Sequence, residues 1–343
     1  FLVEYALETA NAVGTVTEER EFAFGGEAVS MDELEKIWAG KLESVFPTRA
    51  ERAYPQPKTY SFSAKRPARV SPRIARPRVL IPVFPGTNCE YDTERAFQFA
   101  GAETETLVVR NLTAAAVSES VDAFADALAR AQILFIPGGF SGGDEPDGSG
   151  KFITAFLRNP RIAERITELL SCRDGLIGGV CNGFQALIKL GLVPYGEIRA
   201  AKELEATLTF NDIGRHQSRL VRTRIASNKS PWLMNARVGD VFTCPISHGE
   251  GKFVASAGLL NQLAQNGQIA SQYCDMAGNP TMHPDFNPNG SIDAIEGITS
   301  PDGRVFGKMG HSERVGWRHG LYKNVEGDYR NPMFASAVEY FAK

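Results

Sequence analysis

Gly175-Leu176-Ile177-Gly178-Gly179-Val180-Cys181-Asn182-Gly183-Phe184-Gln185-Ala186-Leu187 is the stretch that decides the fold. A short apolar run ends at Gly179-Val180-Cys181-Asn182-Gly183 and a helix-prone run follows. The segment therefore predicts a strand, a sharp turn and a helix, with a cysteine at the bend. Glycines on both sides let the backbone turn tightly and approach a substrate closely. The bend lifts the sulfur out at the end of a sheet, like a G-x-S-x-G nucleophile elbow with sulfur in place of oxygen. The helix that begins there aims its free N–H groups and positive dipole end at the thiol, which favours the nucleophilic thiolate. Cysteine is commonly an inert core residue. The flanking glycines and the strand-to-helix switch instead mark Cys181 as a nucleophile.

Working outward, the chain alternates. Val79–Phe84 reads as a strand, Glu90–Ala100 as a helix, Glu105–Val109 as a strand and Ala114–Ala131 as a helix. Ile133–Ile136 is a strand ending in Pro137-Gly138-Gly139, and Phe152–Leu170 is helical with a break at Pro160. Leu176–Val180 then feeds Cys181. This alternation predicts an α/β fold, a mostly parallel sheet with helices on both faces. Ligands on such sheets bind beyond the C-terminal strand ends, where loops 84–89, 137–150 and 181–183 fall. After residue 200 the pattern changes. Thr207–Phe210, Ser218–Ala226, Val241–Thr243 and Phe253–Ala255 read as strands that continue the sheet antiparallel, and Pro332–Phe341 closes as a helix.

The first 78 residues differ from this body. Ser30-Met31-Asp32-Glu33 has the form of a capping box, and Met31, Leu34, Trp38, Leu42 and Val45 recur at helical spacing until Pro47. Residues 1–46 make a poor core of their own and are expected to dock on a larger body. Prolines at 47, 55, 57, 67, 72 and 77, with nine Lys/Arg from Arg49 to Arg78 against the single acid Glu51, predict an extended basic linker over 47–77. Such a linker fits an acidic protein surface better than nucleic acid.

Composition narrows the function classes. The 343 residues are 43% hydrophobic and 22% charged, ordinary for a soluble globular protein. A net charge of −3 argues against a dedicated nucleic-acid binder. No apolar run approaches a membrane span, and Phe1-Leu2-Val3-Glu4-Tyr5 has no signal-peptide character. The start lacks Met, which suggests a piece of a longer chain. Five cysteines, none in a C-x-x-C pair, speak against a disulfide framework or structural zinc and for a reducing cytoplasm. Gly143–Phe152 resembles a phosphate loop, but its register is wrong, Phe152 stands where a hydroxyl is needed, and three acids would repel phosphate.

A thiolate attacking an amide carbonyl needs a base, a group that orients the base, and donors for the oxyanion. The backbone N–H of Asn182 and the Gly138-Gly139 turn, through Gly139, are the candidate donors. Three of the five histidines stand two residues before an acid: His248-Gly249-Glu250, His283-Pro284-Asp285 and His311-Ser312-Glu313. In extended chain, positions i and i+2 share a side, so each pair can fix an imidazole tautomer. Pro284 weakens His283; between His248 and His311 the residues alone do not choose.

Together these residues resemble the class I (triad) glutamine amidotransferases, most closely the glutaminase domains of phosphoribosylformylglycinamidine synthases. The matching motifs are Pro85-Gly86-Thr87-Asn88-Cys89-Glu90, Pro137-Gly138-Gly139-Phe140-Ser141-Gly142-Gly143-Asp144, Gly179-Val180-Cys181-Asn182-Gly183, Pro245-Ile246-Ser247-His248-Gly249-Glu250-Gly251, Asn287-Pro288-Asn289-Gly290-Ser291 and Gly310-His311-Ser312-Glu313-Arg314. They come in family order over about residues 78–320. The resemblance implies a flavodoxin-like architecture and a glutaminase domain over 78–343, with 1–46 as the end of a synthetase half in a long single-chain form. It implies Cys181 as nucleophile, His311 as base and Glu313 as its orienter. Phe140, Gln185, His248, Glu250, Asn289 and Ser291 become candidates for contacting or supporting the glutamine site. The expected activity is hydrolysis of glutamine through a cysteine thioester, supplying ammonia for the ATP-dependent conversion of formylglycinamide ribonucleotide to its amidine. The expected partners are glutamine and the synthetase half, with neither nucleic acid nor membrane. No cofactor or metal is expected in this chain, whereas ATP and Mg belong to the synthetase half. Two departures stand out. Ser312 replaces a proline common before the final glutamate, which would loosen that loop, and the acidic run Asp144–Asp147 fits a long-form subgroup. A thiol peptidase on a similar sheet, and a glutamine-sensing module without catalysis, are the competing readings.

Overall fold

The computed structural model describes residues 14–50, 52–65, 73–143, 149–200, 202, 205–316, 322, 325 and 327–342. The acidic run Asp144–Asp147 and linker residues 66–72 lie outside them. The chain divides into two compact units, Phe1–Ala50 and Glu51–Lys343.

In the first unit, β1 (Glu21–Phe24) and β2 (Glu27–Ser30) pair antiparallel around Gly25-Gly26, both at positive φ as a tight hairpin turn requires. Ser30 caps α1 (Met31–Gly40), its hydroxyl accepting from the Asp32 N–H at 3.2 Å, and Arg20 pairs with Asp32 at 2.7 Å. The apolar spacing predicted helix as far as Val45. The regular helix stops at Gly40, and only isolated turns carry Leu42 and Val45, because glycine is a poor helix former. The helix has no buried residue.

In the second unit, β3 (Arg78–Val83), α2 (Glu90–Phe99), β4 (Glu103–Val108), α3 (Ala114–Arg130), β5 (Ile133–Ile136), α4 (Lys151–Leu157), α5 (Pro160–Ser171), β6 (Leu176–Val180) and α6 (Asn182–Leu190) follow the predicted alternation. Pro160 opens α5 at its first turn, where a missing N–H is tolerated, with Asn159 as the cap. The later elements are α7 (Leu192–Tyr195), β7 (Thr207–Thr209), β8 (Gln217–Ile225), β9 (Val241–His248), β10 (Lys252–Val254), α8 (Ala257–Gln265), β11 (Ile269–Tyr273), β12 (Ile295–Thr299), β13 (Val305–Lys308) and α9 (Met333–Ala342).

The main sheet runs β4-β3-β5-β6-β13-β12-β11-β8-β9. Neighbours are parallel from β4 to β13 and antiparallel from there on. The step from β3 to β4 runs opposite to that from β4 to β5, so right-handed crossovers put α2 and α3 on opposite faces. Accordingly α2 packs on α9, while α3 packs on α5 and α4 on α6. Between them Phe97, Phe135, Trp232 and Phe334 interlock edge-on or tilted, with ring centroids 4.9–6.4 Å apart.

The C-terminal half needs three corrections. First, β7 and β10 do not extend the main sheet but pair with each other, Leu208 opposite Phe253. Second, β11, β12 and β13 fill the sheet instead; Ser271 and Gln272 in β11, Glu296 in β12 and Lys308 at the end of β13 dilute their apolar character and hide them from sequence patterning. Third, β9 runs on to His248, through Pro245. β9 is the last strand in the order, so a residue without an N–H breaks no inner ladder. The Pro245 carbonyl accepts from the His311 N–H at 2.8 Å, which fixes where the His311 loop begins.

Residues 52–65 are extended but pinned along this unit. The Phe62 N–H bonds the Ala226 carbonyl at 2.8 Å, the Tyr60 hydroxyl donates to Asp293 at 2.6 Å, and Arg52 pairs with Asp212. Among the described residues no helix is long and apolar enough to cross a membrane.

Candidate active site

Cys181 stands between β6 and α6 with φ +53° and ψ −108°, a conformation that a non-glycine residue adopts only under strain. Two features hold it there. Its N–H bonds the Lys308 carbonyl at 2.9 Å, and its carbonyl starts α6 by accepting from Gln185 at 3.0 Å. Gly183 permits the turn, since a Cβ there would lie 2.1 Å from the Ile136 carbonyl oxygen. The residue is 3% exposed, and its sulfur lies 3.7 Å from the Ser247 carbonyl oxygen, at the end of β9.

β13 pairs in parallel with β6, Lys308 opposite Val180, so the loop after β13 emerges beside Cys181. That loop carries His311 and Glu313, and His311 Nδ1 lies 2.6 Å from Glu313 Oε1. Both residues are buried. Burial alone would lower the His311 pKa, but the Glu313 charge and the hydrogen bonds with Cys181, Cys89 and Glu313 raise it well above the usual histidine value. Gly138 leaves the space for this meeting: a Cβ there would stand 2.6 Å from His311 Cε1 and 3.3 Å from both Cys181 Cβ and Cys89 Sγ. Gly139, at φ +148°, is held against loop 86–88 by the Phe140 N–H to the Gly86 carbonyl (2.8 Å) and the Asn88 N–H to the Gly138 carbonyl (3.2 Å).

The loop is fixed by a buried ion pair that sequence reading missed. Lys308 Nζ lies 3.6 Å from Glu296 Oε1 and donates to Ser312 Oγ at 2.9 Å. The same Glu296 oxygen accepts from the Gly310 N–H at 2.7 Å, and its other oxygen accepts from the Ser271 hydroxyl. Burial pulls the Lys308 pKa down, but the charge of Glu296, with Cys244 and Glu313, carries it above normal. Ser312 is therefore tethered where the family resemblance leads one to expect a proline, and the expected loosening is offset by a hydrogen bond. The available signal was one acid and one base, each alone in an otherwise apolar run.

The second His-x-Glu pair folds differently. His248 Nδ1 donates to Asn211 Oδ1 at 3.1 Å, while Glu250 Oε2 accepts from the Ser149 N–H at 3.1 Å. The expected same-side pairing does not form, because Gly249 and Gly251 release the chain from extended geometry. Desolvation, with the charges of His311 and His216, lowers the His248 pKa to about 3, so this ring is neutral. Asn182 Oδ1 accepts from the Ser141 N–H at 3.2 Å, and its amide donates to Gln185 Oε1 at 3.0 Å. Gln185 in turn donates to the Glu250 carbonyl, tying α6 to this loop. Asn289 and Ser291 hold residues 251–253: Asn289 donates to the Gly251 carbonyl (2.8 Å) and the Phe253 N–H donates to Ser291 Oγ (3.0 Å). Phe140 is 42% exposed, its ring 6.0 Å from that of His216. His283 and Asp285 stand 3.7 Å apart in a half-exposed loop.

Residues 76–341 match the CobB/CobQ-like glutamine amidotransferase domain. The chain is 35% identical over 289 residues to the phosphoribosylformylglycinamidine synthase subunit PurQ of Methanococcus maripaludis strain S2, covering 78% of this chain and 98% of that protein. It is 34% identical over 243 residues to PurQ of Sulfurimonas denitrificans, covering 69% and 91%. The structure of PurLQS from Thermotoga maritima superimposes with a TM-score of 0.55 at 25% identity, covering 77% of this chain and 99% of that one. The chain belongs to the glutamine amidotransferases, in the family of the PurQ subunits of phosphoribosylformylglycinamidine synthase.

Proposed function

We propose that this chain hydrolyses glutamine through a thioester on Cys181 and delivers ammonia to the synthetase part of a phosphoribosylformylglycinamidine synthase. The observation that carries the chemistry is the strained Cys181 bend set beside the buried His311–Glu313 pair. The Cys181 thiolate attacks the side-chain amide carbon of glutamine. The backbone N–H groups of Asn182 and Gly139 hold the oxyanion, where the loss of one donor costs roughly 10²–10³ in rate. His311, oriented by Glu313, gives its proton to the nitrogen that leaves as ammonia. It then takes a proton from the water that cleaves the thioester, releasing glutamate and the thiolate. Gln185, His248, Glu250, Asn289 and Ser291 hold the loops at residues 248–253 in place, and Phe140 stands exposed next to the Gly139 turn.

The ammonia joins formylglycinamide ribonucleotide at an ATP- and Mg-dependent site outside this chain. Residues 1–46 are the end of that synthetase part and 47–77 the connection, a division supported by the separate unit Phe1–Ala50 and by a family match that begins at residue 76. In the complete enzyme, Cys181→Ala abolishes glutamine-dependent synthesis and spares synthesis from added ammonia. A glutamine-like electrophile labels Cys181 alone on peptide mapping. Labelling at another cysteine, or loss of both activities together, refutes the assignment.

A further inference from the structure

Cys89 has no part in the chemistry above, yet it stands inside the site. Its sulfur lies 3.8 Å from His311 Nδ1, the same nitrogen that meets Glu313 at 2.6 Å. One ligand atom from each of Cys89, His311 and Glu313 falls within 4.8 Å of the others, and all three residues are buried. Independently, Glu313 Oε2 is buried without a hydrogen-bond partner among the described residues, so this carboxylate has unused acceptor capacity beside the sulfur and the ring.

We propose that Cys89, His311 and Glu313 form a binding site for a thiophilic divalent cation of the zinc type, and that a cation bound there switches the glutaminase off. The ligand set selects the ion. Magnesium and calcium take oxygen ligands, whereas zinc takes a thiolate, an imidazole nitrogen and a carboxylate oxygen together. Zinc bond lengths of about 2.3, 2.0 and 2.1 Å in a tetrahedron place sulfur and nitrogen about 3.6 Å apart and nitrogen and oxygen about 3.4 Å apart. The observed 3.8 and 2.6 Å lie within an ångström of those separations. Binding releases the Cys89 thiol proton and the His311 Nδ1 proton to solvent. The inhibitory half of the proposal rests on the roles given to His311 and Glu313 above. The cation replaces the proton that Glu313 uses to orient the ring, and its charge opposes the imidazolium that must protonate departing ammonia. Three protein ligands leave one position of a tetrahedral zinc open.

Cobalt(II) is the direct probe, applied to the full chain with the exposed Cys172 replaced by serine in every sample. Cys181→Ala is expected to bind one cobalt per chain with a thiolate-to-metal absorption band, and adding Cys89→Ser or Cys89→Ala is expected to abolish the band. Zinc is then titrated against the labelling of Cys181 by a glutamine-like electrophile, each protein being compared with its own metal-free rate. Half-inhibition of the Cys89→Ser and Cys89→Ala chains is expected to need at least about tenfold more zinc than that of the parent. A band missing from Cys181→Ala, a band that survives loss of Cys89, or unchanged zinc sensitivity overturns the proposal. Cobalt bound through Cys89 with zinc harmless to labelling of the parent keeps the site and overturns the switch, together with the role of His311 on which the switch rests.

Discussion

Replacing Lys308 by methionine tests whether a buried charge holds the His311 loop in place. The Lys308 side chain is 2% exposed and that of Glu296 0%, with 3.6 Å between them. Removing one partner of a buried pair costs about 3–5 kcal/mol, because the other charge is left desolvated. Glu296 keeps the Gly310 N–H and the Ser271 hydroxyl, so Lys308→Met is expected near the lower bound, about 3 kcal/mol. Adding Glu296→Gln removes the orphaned charge, so the double variant should be more stable than Lys308→Met alone. Urea unfolding with linear extrapolation reads both values. The kinetic effect follows from geometry. Lys308 holds Ser312 and Glu296 holds Gly310, the two neighbours of His311, and misplacing a reacting group by about 1 Å costs about 10²-fold. Labelling of Cys181 by a glutamine-like electrophile should slow by at least about tenfold in Lys308→Met. If Lys308→Met lies within about 1 kcal/mol of the parent and the double variant is no more stable than the single, the ion pair does not organise this loop.

Gly138→Ala puts a methyl group 2.6 Å from His311 Cε1, so labelling of Cys181 should fall by about 10²-fold while circular dichroism shows the fold retained; a rate within about threefold of the parent would contradict the packing described here. The pH dependence of stability separates the two histidines. His248 is held near 3 against an unfolded value of 6.5, so the unfolded chain binds its proton first and stability falls as pH drops from about 6.5 towards 3, by about 1.4 kcal/mol per unit. The raised pKa of His311 acts the other way: its contribution is complete below 6.5 and is lost as pH rises through the folded value. His248→Gln should therefore flatten the fall in unfolding free energy between pH 5.5 and 4.5 by nearly one proton's worth, and an unaltered slope would show that this ring is not held neutral.

The strand, bend and helix around Cys181 were legible in the sequence because they depend on neighbours in the chain: an apolar run, glycines at a turn, a helix-prone stretch. Leu176–Val180 and Ile133–Ile136 coincide with their predicted strands, and Ala114–Arg130 stops one residue short of its predicted helix, for the same local reason. Residues 295–308 were opaque because Glu296 and Lys308 look like surface residues singly and become core residues only as a pair. Which of His248 and His311 lies beside the thiol was equally out of reach, since both precede an acid by two positions and local patterning is blind to what lies across the sheet. Only the tertiary structure decides it: β13 lies against β6 and sets His311 beside the thiol, while Asn211 and Ser149 draw His248 and Glu250 apart. The sequence by itself determined where a cysteine would stand at a strand-to-helix bend. Long-range strand pairing, which brings together residues 130 positions apart, determined which imidazole stands next to it.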